Sequence, residues 1–290
     1  MKKLMAVAII LLGVFLLACD DLLFPLFTTT SSQTTLPISR PNTLSGSITV
    51  RSEDYAAYPM FHSDSYDLAV DEYNELLVET RDKIRRANIS INVTLYEEQD
   101  LFPWGPSTSI KAFSKGSGFV YMEDADYYYA VTNFHVVDPL DMIASYEVKT
   151  MEDEENVEAI LVVGNADMDL AVLRFPKGDR LNVTPINIIN RAFTKYNANE
   201  LVLAVGNPQS LENNVTFGVY LSLQPISHVD FPVIMHNAII HEGSSGGALV
   251  DVDGNLLGVN TWGVEAEDTA FAIPNDVLYM FLLNEGLLPN

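Results

Sequence analysis

The stretch of sequence that decides the fold is His241-Glu242-Gly243-Ser244-Ser245-Gly246-Gly247-Ala248-Leu249-Val250. Its three glycines and two serines follow an apolar run, Val233–Ile240. Glycines so closely spaced permit positive φ and the close approach of another molecule. A serine on such a turn presents its hydroxyl beside backbone N–H groups, which together make a nucleophile and an oxyanion hole. An ordinary turn between two strands has the same composition, so the interpretation depends on a base and a carboxylate elsewhere in the chain.

Two residues upstream supply the missing types. His135 follows an apolar strand, and Asp169 begins another in Asp169–Leu173. Each alone fits a structural role, as a satisfied histidine or a solvated carboxylate. With Ser245 they follow the order His, Asp, Ser, and serine hydrolysis needs these types because His takes the hydroxyl proton while Asp fixes the imidazole tautomer. His241 is an alternative base in principle, although its position four residues before Ser245 favours a place on the rim.

Composition narrows the class of protein. The 290 residues carry 16 Lys and Arg against 39 Asp and Glu, a formal charge of −23 that argues against nucleic-acid binding. A single cysteine excludes an intrachain disulfide, so the core alone must hold the fold. The acidic run Glu152–Glu155 is typical of a solvated loop, and Asp251–Gly254 lacks the further carboxylates of a calcium loop. We expect no cofactor and no metal ion.

The N-terminus has the pattern of a secreted chain. Basic Lys2 and Lys3 precede the apolar stretch Leu4–Leu17, which has the length of a signal-peptide core and is short for a membrane span. Leu16-Leu17-Ala18-Cys19 resembles the lipobox of bacterial lipoproteins, whose cysteine is lipidated. We therefore predict a signal peptide over residues 1–18 and a lipid anchor on Cys19, with an uncleaved anchor or a buried cysteine as the alternative. The Thr-, Ser- and Pro-rich residues 19–50 indicate a flexible tether.

Hydrophobic spacing predicts a helix followed by strands. Ser65–Arg86 has apolar residues at intervals of three and four, within an N-terminal helical extension over residues 51–88. From Ile89 the period becomes two, and short strands separated by turn residues continue over about 89–176 and 195–274. Asn275–Leu287 indicates a short C-terminal helix. The sequence thus predicts an all-β domain with one antiparallel barrel or sandwich in each half.

Seven segments in order resemble trypsin-like serine proteases of the HtrA type. The resemblance implies two antiparallel six-stranded β-barrels over about residues 89–290, with the active site between them. It also implies a His135, Asp169 and Ser245 triad, an oxyanion hole formed by the Gly243 and Ser245 N–H groups, and protein or peptide substrates. The segments that carry it are Gly116–Phe119, Val131–Val137, Asp169–Leu173, Gly206–Pro208, Gly243–Leu249, Gly258–Thr261 and Phe271–Pro274.

The chain also departs from that family. Ser244 and Glu242 stand where the family usually has Asn and Pro. The sequence continues little beyond the predicted protease domain, so we expect no PDZ domain of the kind common in the family. The position six before the nucleophile lies at the base of the S1 pocket in such proteases, and here it is Ile239. With Ile240, Asn260 and Thr261 as further pocket candidates, we expect cleavage after small or medium apolar residues.

We therefore expect a serine endopeptidase of a bacterial cell envelope, anchored to the outer face of the cytoplasmic membrane and acting on unfolded or exposed protein segments. One alternative is a catalytically silent surface lipoprotein that uses the fold for binding, which Glu242 and Ser244 favour. Another is a structural lipoprotein whose important part is the N-terminal helix. The sequence does not indicate an oligomeric state.

Overall fold

The computed structural model describes residues 70–101, 105–208, 211–226, 229–264 and 269–289. The predicted signal peptide, Cys19, the tether and the start of the predicted helix lie outside these residues. The first described element is helix α1, Val70–Ala87, which leads directly into the first strand.

Twelve strands form two closed antiparallel barrels, as the sequence and its family resemblance predicted. The first barrel has the order β1-β2-β3-β6-β5-β4 and the second β10-β11-β12-β9-β8-β7. Two further helices are α2, Phe134–Val137, and α3, Asn275–Asn284. The strands are β1 Asn88–Leu101, β2 Gly105–Glu123, β3 Tyr127–Thr132, β4 Ile143–Lys149, β5 Val157–Asn165, β6 Leu170–Pro176, β7 Leu201–Gly206, β8 Asn214–Pro225, β9 Pro232–His236, β10 Ala248–Val250, β11 Leu256–Val264 and β12 Thr269–Pro274.

Each barrel is filled by the alternate residues of its strands. In β1 the inward positions Ile89, Ile91, Val93 and Leu95 are all buried, and the polar residues between them face away from this core. The first core also contains the Tyr128 and Phe175 rings, whose centroids are 5.6 Å apart. The second core contains Val202, Ala204, Ile234, Leu249, Leu257 and Ala272. Two separate cores leave the line between the barrels for polar contacts.

One predicted strand is shorter than its apolar run. The apolar run Val233–Ile240 lies in the region of predicted short strands, but β9 ends at His236. Beyond it, the Asn237 N–H still donates to the Val219 carbonyl oxygen at 3.2 Å, whereas the Val219 N–H donates to the Asn237 side-chain oxygen at 2.7 Å. A side chain therefore takes one of the two ladder bonds. The chain then passes so close to β8 that a Cβ on Gly218 would lie 2.1 Å from Ala238 N. The run stays apolar because Ala238 and Ile240 still pack on the core.

Helix α1 contacts β7 and β8 of the second barrel and β2 of the first. Leu77 and Ile84 are fully buried, and the Thr80 hydroxyl donates a hydrogen bond to the carbonyl oxygen of Val252 in the β10–β11 turn. At the start of β1, the Asn88 side-chain amide donates to the side-chain oxygens of Asn207 at 3.0 Å and Asn213 at 2.7 Å. These hydrogen bonds attach α1 and the start of β1 to the second barrel. No helix in the part of the chain that the structure describes is long and apolar enough to cross a membrane.

A buried histidine makes the stability of the second barrel sensitive to acid. His236 is fully buried, and neither ring nitrogen has a hydrogen-bond partner among the described residues. Burial lowers its pKa to about 3, and the nearby Asn260 side chain offsets part of the effect. The unfolded chain binds a proton at this residue near pH 6.5 while the folded chain stays neutral, so stability falls as pH drops from about 6.5 toward 3.

We expect His236→Leu to flatten this dependence. Between pH 7 and 4.5 the wild-type free energy of unfolding should fall by about 2–3 kcal/mol more than that of the variant. Urea unfolding at the two pH values measures both slopes, whatever the absolute stability of the variant. Equal losses in the two proteins would contradict the assignment to His236.

Candidate active site

The three predicted catalytic side chains lie at the ends of elements facing the line between the barrels. His135 is on α2, the short helix after β3, and Asp169 directly precedes β6. Ser245 is in the loop before β10. Gly164 on β5 fixes α2, because a Cβ there would lie 2.6 Å from the Phe134 ring. The absence of a side chain at Gly164 therefore allows Phe134 to pack against β5 and presents His135 to the cleft.

His135 and Asp169 are in direct contact. The His135 Nδ1 atom lies 2.9 Å from Asp169 Oδ2 and 3.0 Å from Oδ1, and the His135 backbone N–H also donates to Oδ1 at 2.9 Å. A carboxylate only accepts, so Nδ1 carries the proton and Nε2 is left as the acceptor. Asp169 has a φ of 51°, in the left-handed region, which is uncommon for residues other than glycine but is adopted more readily by Asp than by most. The Asn133 side-chain amide holds that backbone by donating to the Asp169 carbonyl oxygen at 3.0 Å.

Thr261 connects this pair to the serine. Its hydroxyl donates to Asp169 Oδ2 at 2.9 Å, and its carbonyl oxygen accepts a hydrogen bond from the Ser245 hydroxyl at 2.8 Å. The sequence predicted Thr261 as a pocket residue and missed this bridging position, for which the chain gives no local signal. In the described structure Ser245 is therefore joined to His135 through Thr261 and Asp169 and not by a direct hydrogen bond. Such bonds are commonly long or absent before substrate binds.

The loop around Ser245 leaves two amides unused. The Ser244 N–H donates to the His241 carbonyl at 2.9 Å, Gly246 N–H to Asn260 at 2.8 Å, and Gly247 N–H to Ser244 at 3.0 Å. Within the described chain, the N–H groups of Gly243 and Ser245 donate to no other protein group. Gly243 and Gly246 have φ values of 95° and 87°, which only glycine adopts readily. This conformation leaves unpaired the two amides that the resemblance assigned to an oxyanion hole.

Glu242, next to this loop, is exposed to solvent. Its carboxylate is therefore hydrated and repels a developing oxyanion only weakly.

The predicted pocket residues occupy different places. Ile239 and Ile240 are half-buried, and a Cβ added to Gly263 would lie 3.1 Å from Ile240 Cγ1. Asn260, however, is fully buried, and its side-chain amide donates to the Ala248 carbonyl oxygen at 3.0 Å. The Asn260 side chain therefore lies beneath the Ser245 loop. The described residues contain no group of three or more His, Cys, Asp or Glu side chains placed to bind a metal ion.

Comparisons with known proteins find similarity to trypsin-like serine proteases. A model described as a trypsin-like peptidase domain matches residues 116–259, which contain His135, Asp169 and Ser245. The chain is 33% identical over 184 residues to serine protease HTRA1A of Danio rerio, covering 59% of this chain and 34% of that protein. It is 33% identical over 173 residues to serine protease HTRA4 of Homo sapiens, covering 58% and 34%. The chain thus spans about a third of the length of the curated relatives it matches.

A solved structure extends the likeness to the fold. The serine endoprotease from Yersinia pestis superposes with a TM-score of 0.53 at 31% identity, covering 73% of this chain and 66% of that one.

Proposed function

We propose that this chain, in which a trypsin-like peptidase domain similar to the HtrA proteases spans residues 116–259, is a serine endopeptidase that cuts unfolded or exposed protein segments. The observation that carries the proposal is the hydrogen-bonded series His135–Asp169–Thr261–Ser245 beside two unused amides. Structural relatives alone would support the fold. This series supports the proposal further, because serine hydrolysis needs a base, an orienting carboxylate, a hydroxyl and an anion site.

The geometry supports a stepwise acyl transfer. On substrate binding, Ser245 Oγ leaves the Thr261 carbonyl and gives its proton to His135 Nε2 while attacking the scissile carbonyl carbon. The oxyanion accepts hydrogen bonds from the Gly243 and Ser245 amides, and Asp169 stabilises the imidazolium. His135 then gives the proton to the leaving amine, which leaves an acyl-Ser245. A water, deprotonated by His135, hydrolyses this ester and regenerates the serine.

The proposal is tested on the purified full-length chain with a fluorophosphonate probe and unfolded casein. We expect covalent labelling, and peptide mass spectrometry should place the label on Ser245 and not on the adjacent Ser244. Casein should be cut under the same conditions. A folded protein that neither labels nor cleaves would overturn the proposal in favour of a catalytically silent binding protein.

Substrate preference is proposed from the residues before the nucleophile. Ile239 and Ile240 offer apolar surface and no carboxylate to pair with a basic side chain. Burying Lys or Arg without a partner costs free energy, so peptides with Val, Ala, Ile or Leu at P1 should be cleaved about ten- to a hundredfold faster than those with Lys or Arg. Values of kcat/KM for a peptide series varied only at P1 measure this, and efficient cleavage after Lys or Arg would contradict it.

We further propose that the enzyme is held on the outer face of a bacterial cytoplasmic membrane through Cys19. The support is the sequence Leu16–Cys19 after an apolar stretch of signal-peptide length. Two or more acyl chains hold a protein stably on a membrane. The intact mass of the protein recovered from membranes should correspond to a chain beginning at lipidated Cys19. An unmodified chain beginning at Met1 would contradict the anchor.

A further inference from the structure

Ser117 contacts both residues whose amides are unused. It lies on β2, fully buried, at the face of the first barrel that meets the Ser245 loop. Its hydroxyl donates to the Gly243 carbonyl oxygen at 2.6 Å, and its backbone N–H donates to the Ser245 carbonyl oxygen at 2.8 Å. Ser117, in the first barrel, therefore holds Gly243 and Ser245, in the second, through hydrogen bonds to their carbonyl groups.

Asn207 fixes the direction of the Ser117 hydroxyl. The Asn207 backbone N–H donates to Ser117 Oγ at 2.7 Å, and its side-chain amide approaches the same oxygen at 3.3 Å. A serine hydroxyl has one proton, so an oxygen that already accepts must direct that proton to its remaining neighbour, the Gly243 carbonyl. The Asn207 side chain is itself fixed, since its amide also donates to the Ile89 carbonyl at 2.7 Å and its oxygen accepts from Asn88 at 3.0 Å.

We propose that Ser117 is a positioning residue that sets the geometry of the oxyanion hole, an inference that rests on the proposed peptidase function. The loop is rich in glycine, and Gly243 has little steric resistance to rotation of its peptide planes. The bond from the Ser117 hydroxyl fixes the Gly243–Ser244 peptide, and the bond from its backbone N–H fixes the Ser245–Gly246 peptide. The Gly243 and Ser245 N–H groups belong to the peptides directly before these two, so the contacts limit how far those N–H groups can rotate before substrate arrives. Donors in an oxyanion hole must lie within about 2.7–3.1 Å of the oxyanion, so a small rotation of either amide would weaken the hole.

The test compares Ser117→Ala with a matched buried serine. Ser90 lies directly opposite Ser117 in the β1–β2 pairing and is also buried, and its hydroxyl bonds neither Gly243 nor Asn207. Ser90→Ala therefore removes a buried hydroxyl from the same barrel without touching the loop. Ser117→Cys is a third protein, because a thiol fits the site but is a weak donor. Each full-length variant is assayed on a peptide identified from casein cleavage, and its Tm is measured.

We expect Ser117→Ala to lower kcat about ten- to a hundredfold with KM changed less than about twofold, because a misplaced donor affects the transition state and not the ground state. Ser117→Cys should lie between Ser117→Ala and the wild type, and Ser90→Ala should match the wild type. Inhibition by a peptide aldehyde, whose hemiacetal oxygen occupies the oxyanion hole, should weaken in Ser117→Ala by the same factor as kcat/KM. A product peptide without that oxygen should bind all the proteins equally.

The possible outcomes distinguish a failure of this inference from a failure of the proposed peptidase function on which it rests. A wild-type chain that neither labels nor cleaves would overturn the proposed function and the inference with it. An active wild type with an equally active Ser117→Ala would overturn the inference alone. Equal losses in Ser90→Ala and Ser117→Ala, or losses in both Ser117 variants that follow Tm or appear in KM, would assign Ser117 a purely structural role and also overturn it.

Discussion

Replacing Ser245 by alanine is expected to lower kcat for peptide hydrolysis by about a millionfold and to abolish fluorophosphonate labelling. The reason is that the variant lacks the oxygen that forms the acyl-enzyme, and water must then attack without covalent catalysis. The fold should persist, because the hydroxyl makes one hydrogen bond, to the Thr261 carbonyl oxygen. Active-site titration and kcat measured on one peptide check the expectation.

The adjacent serine provides the control. Ser244 is buried, and its oxygen accepts only a long hydrogen bond from His241 N at 3.4 Å. Ser244→Ala should keep the label on Ser245 and should retain activity within about tenfold of the wild type, since such a weak bond contributes little. Hydrolysis by Ser245→Ala at a rate near that of the wild type would show that another residue is the nucleophile.

The second largest effect is expected from Asp169→Asn, about a ten-thousandfold loss in kcat. The carboxylate accepts hydrogen bonds from His135 Nδ1, from the His135 backbone N–H and from the Thr261 hydroxyl. An asparagine in the same place keeps an oxygen for the His135 backbone N–H and turns an amide N–H toward Nδ1. His135 must then carry its proton on Nε2, where it cannot accept the Ser245 proton. The shape of the site is retained while its chemistry is lost.

Two measurements identify this cause. Nitrogen NMR of the histidine ring should show the tautomer reversed in Asp169→Asn, and kcat should fall while KM stays within a few-fold. Asp167→Asn is the matched variant, since Asp167 is an exposed carboxylate two residues earlier, and its activity should match the wild type. A wild-type tautomer in an inactive Asp169→Asn would instead indicate a displaced loop.

The sequence predicted those parts of the molecule that depend on the pattern of neighbouring residues or on the order of residues along the chain. Alternation from Ile89 to Leu95 predicts a half-buried strand because side chains in a strand alternate between faces. The order His135, Asp169, Ser245 predicted which side chains should meet, and the first two are in contact. Both signals can be read without knowing how the chain crosses from one barrel to the other.

The parts that the sequence did not predict depend on distant contacts. Thr261 meets Asp169 across 92 residues, and Ser117 meets Gly243 across 126. The hydrophobic periodicity of a strand does not reveal which distant residue a threonine or serine in it will bond. The early end of β9 has a similar cause, because Asn237 exchanges a ladder bond for a side-chain bond to Val219 that its apolar surroundings do not reveal.

The division of the site between two barrels also has a consequence for biosynthesis. Ribosomes make the chain from its N-terminus, so His135 and Asp169 emerge well before Thr261 and Ser245. A nascent chain that has reached only Gly206 holds a histidine–aspartate pair with no nucleophile, and Ser117 then has neither Asn207 nor Gly243 to bond. The proposed catalytic site is thus complete only after Ser245 and Thr261 have been made.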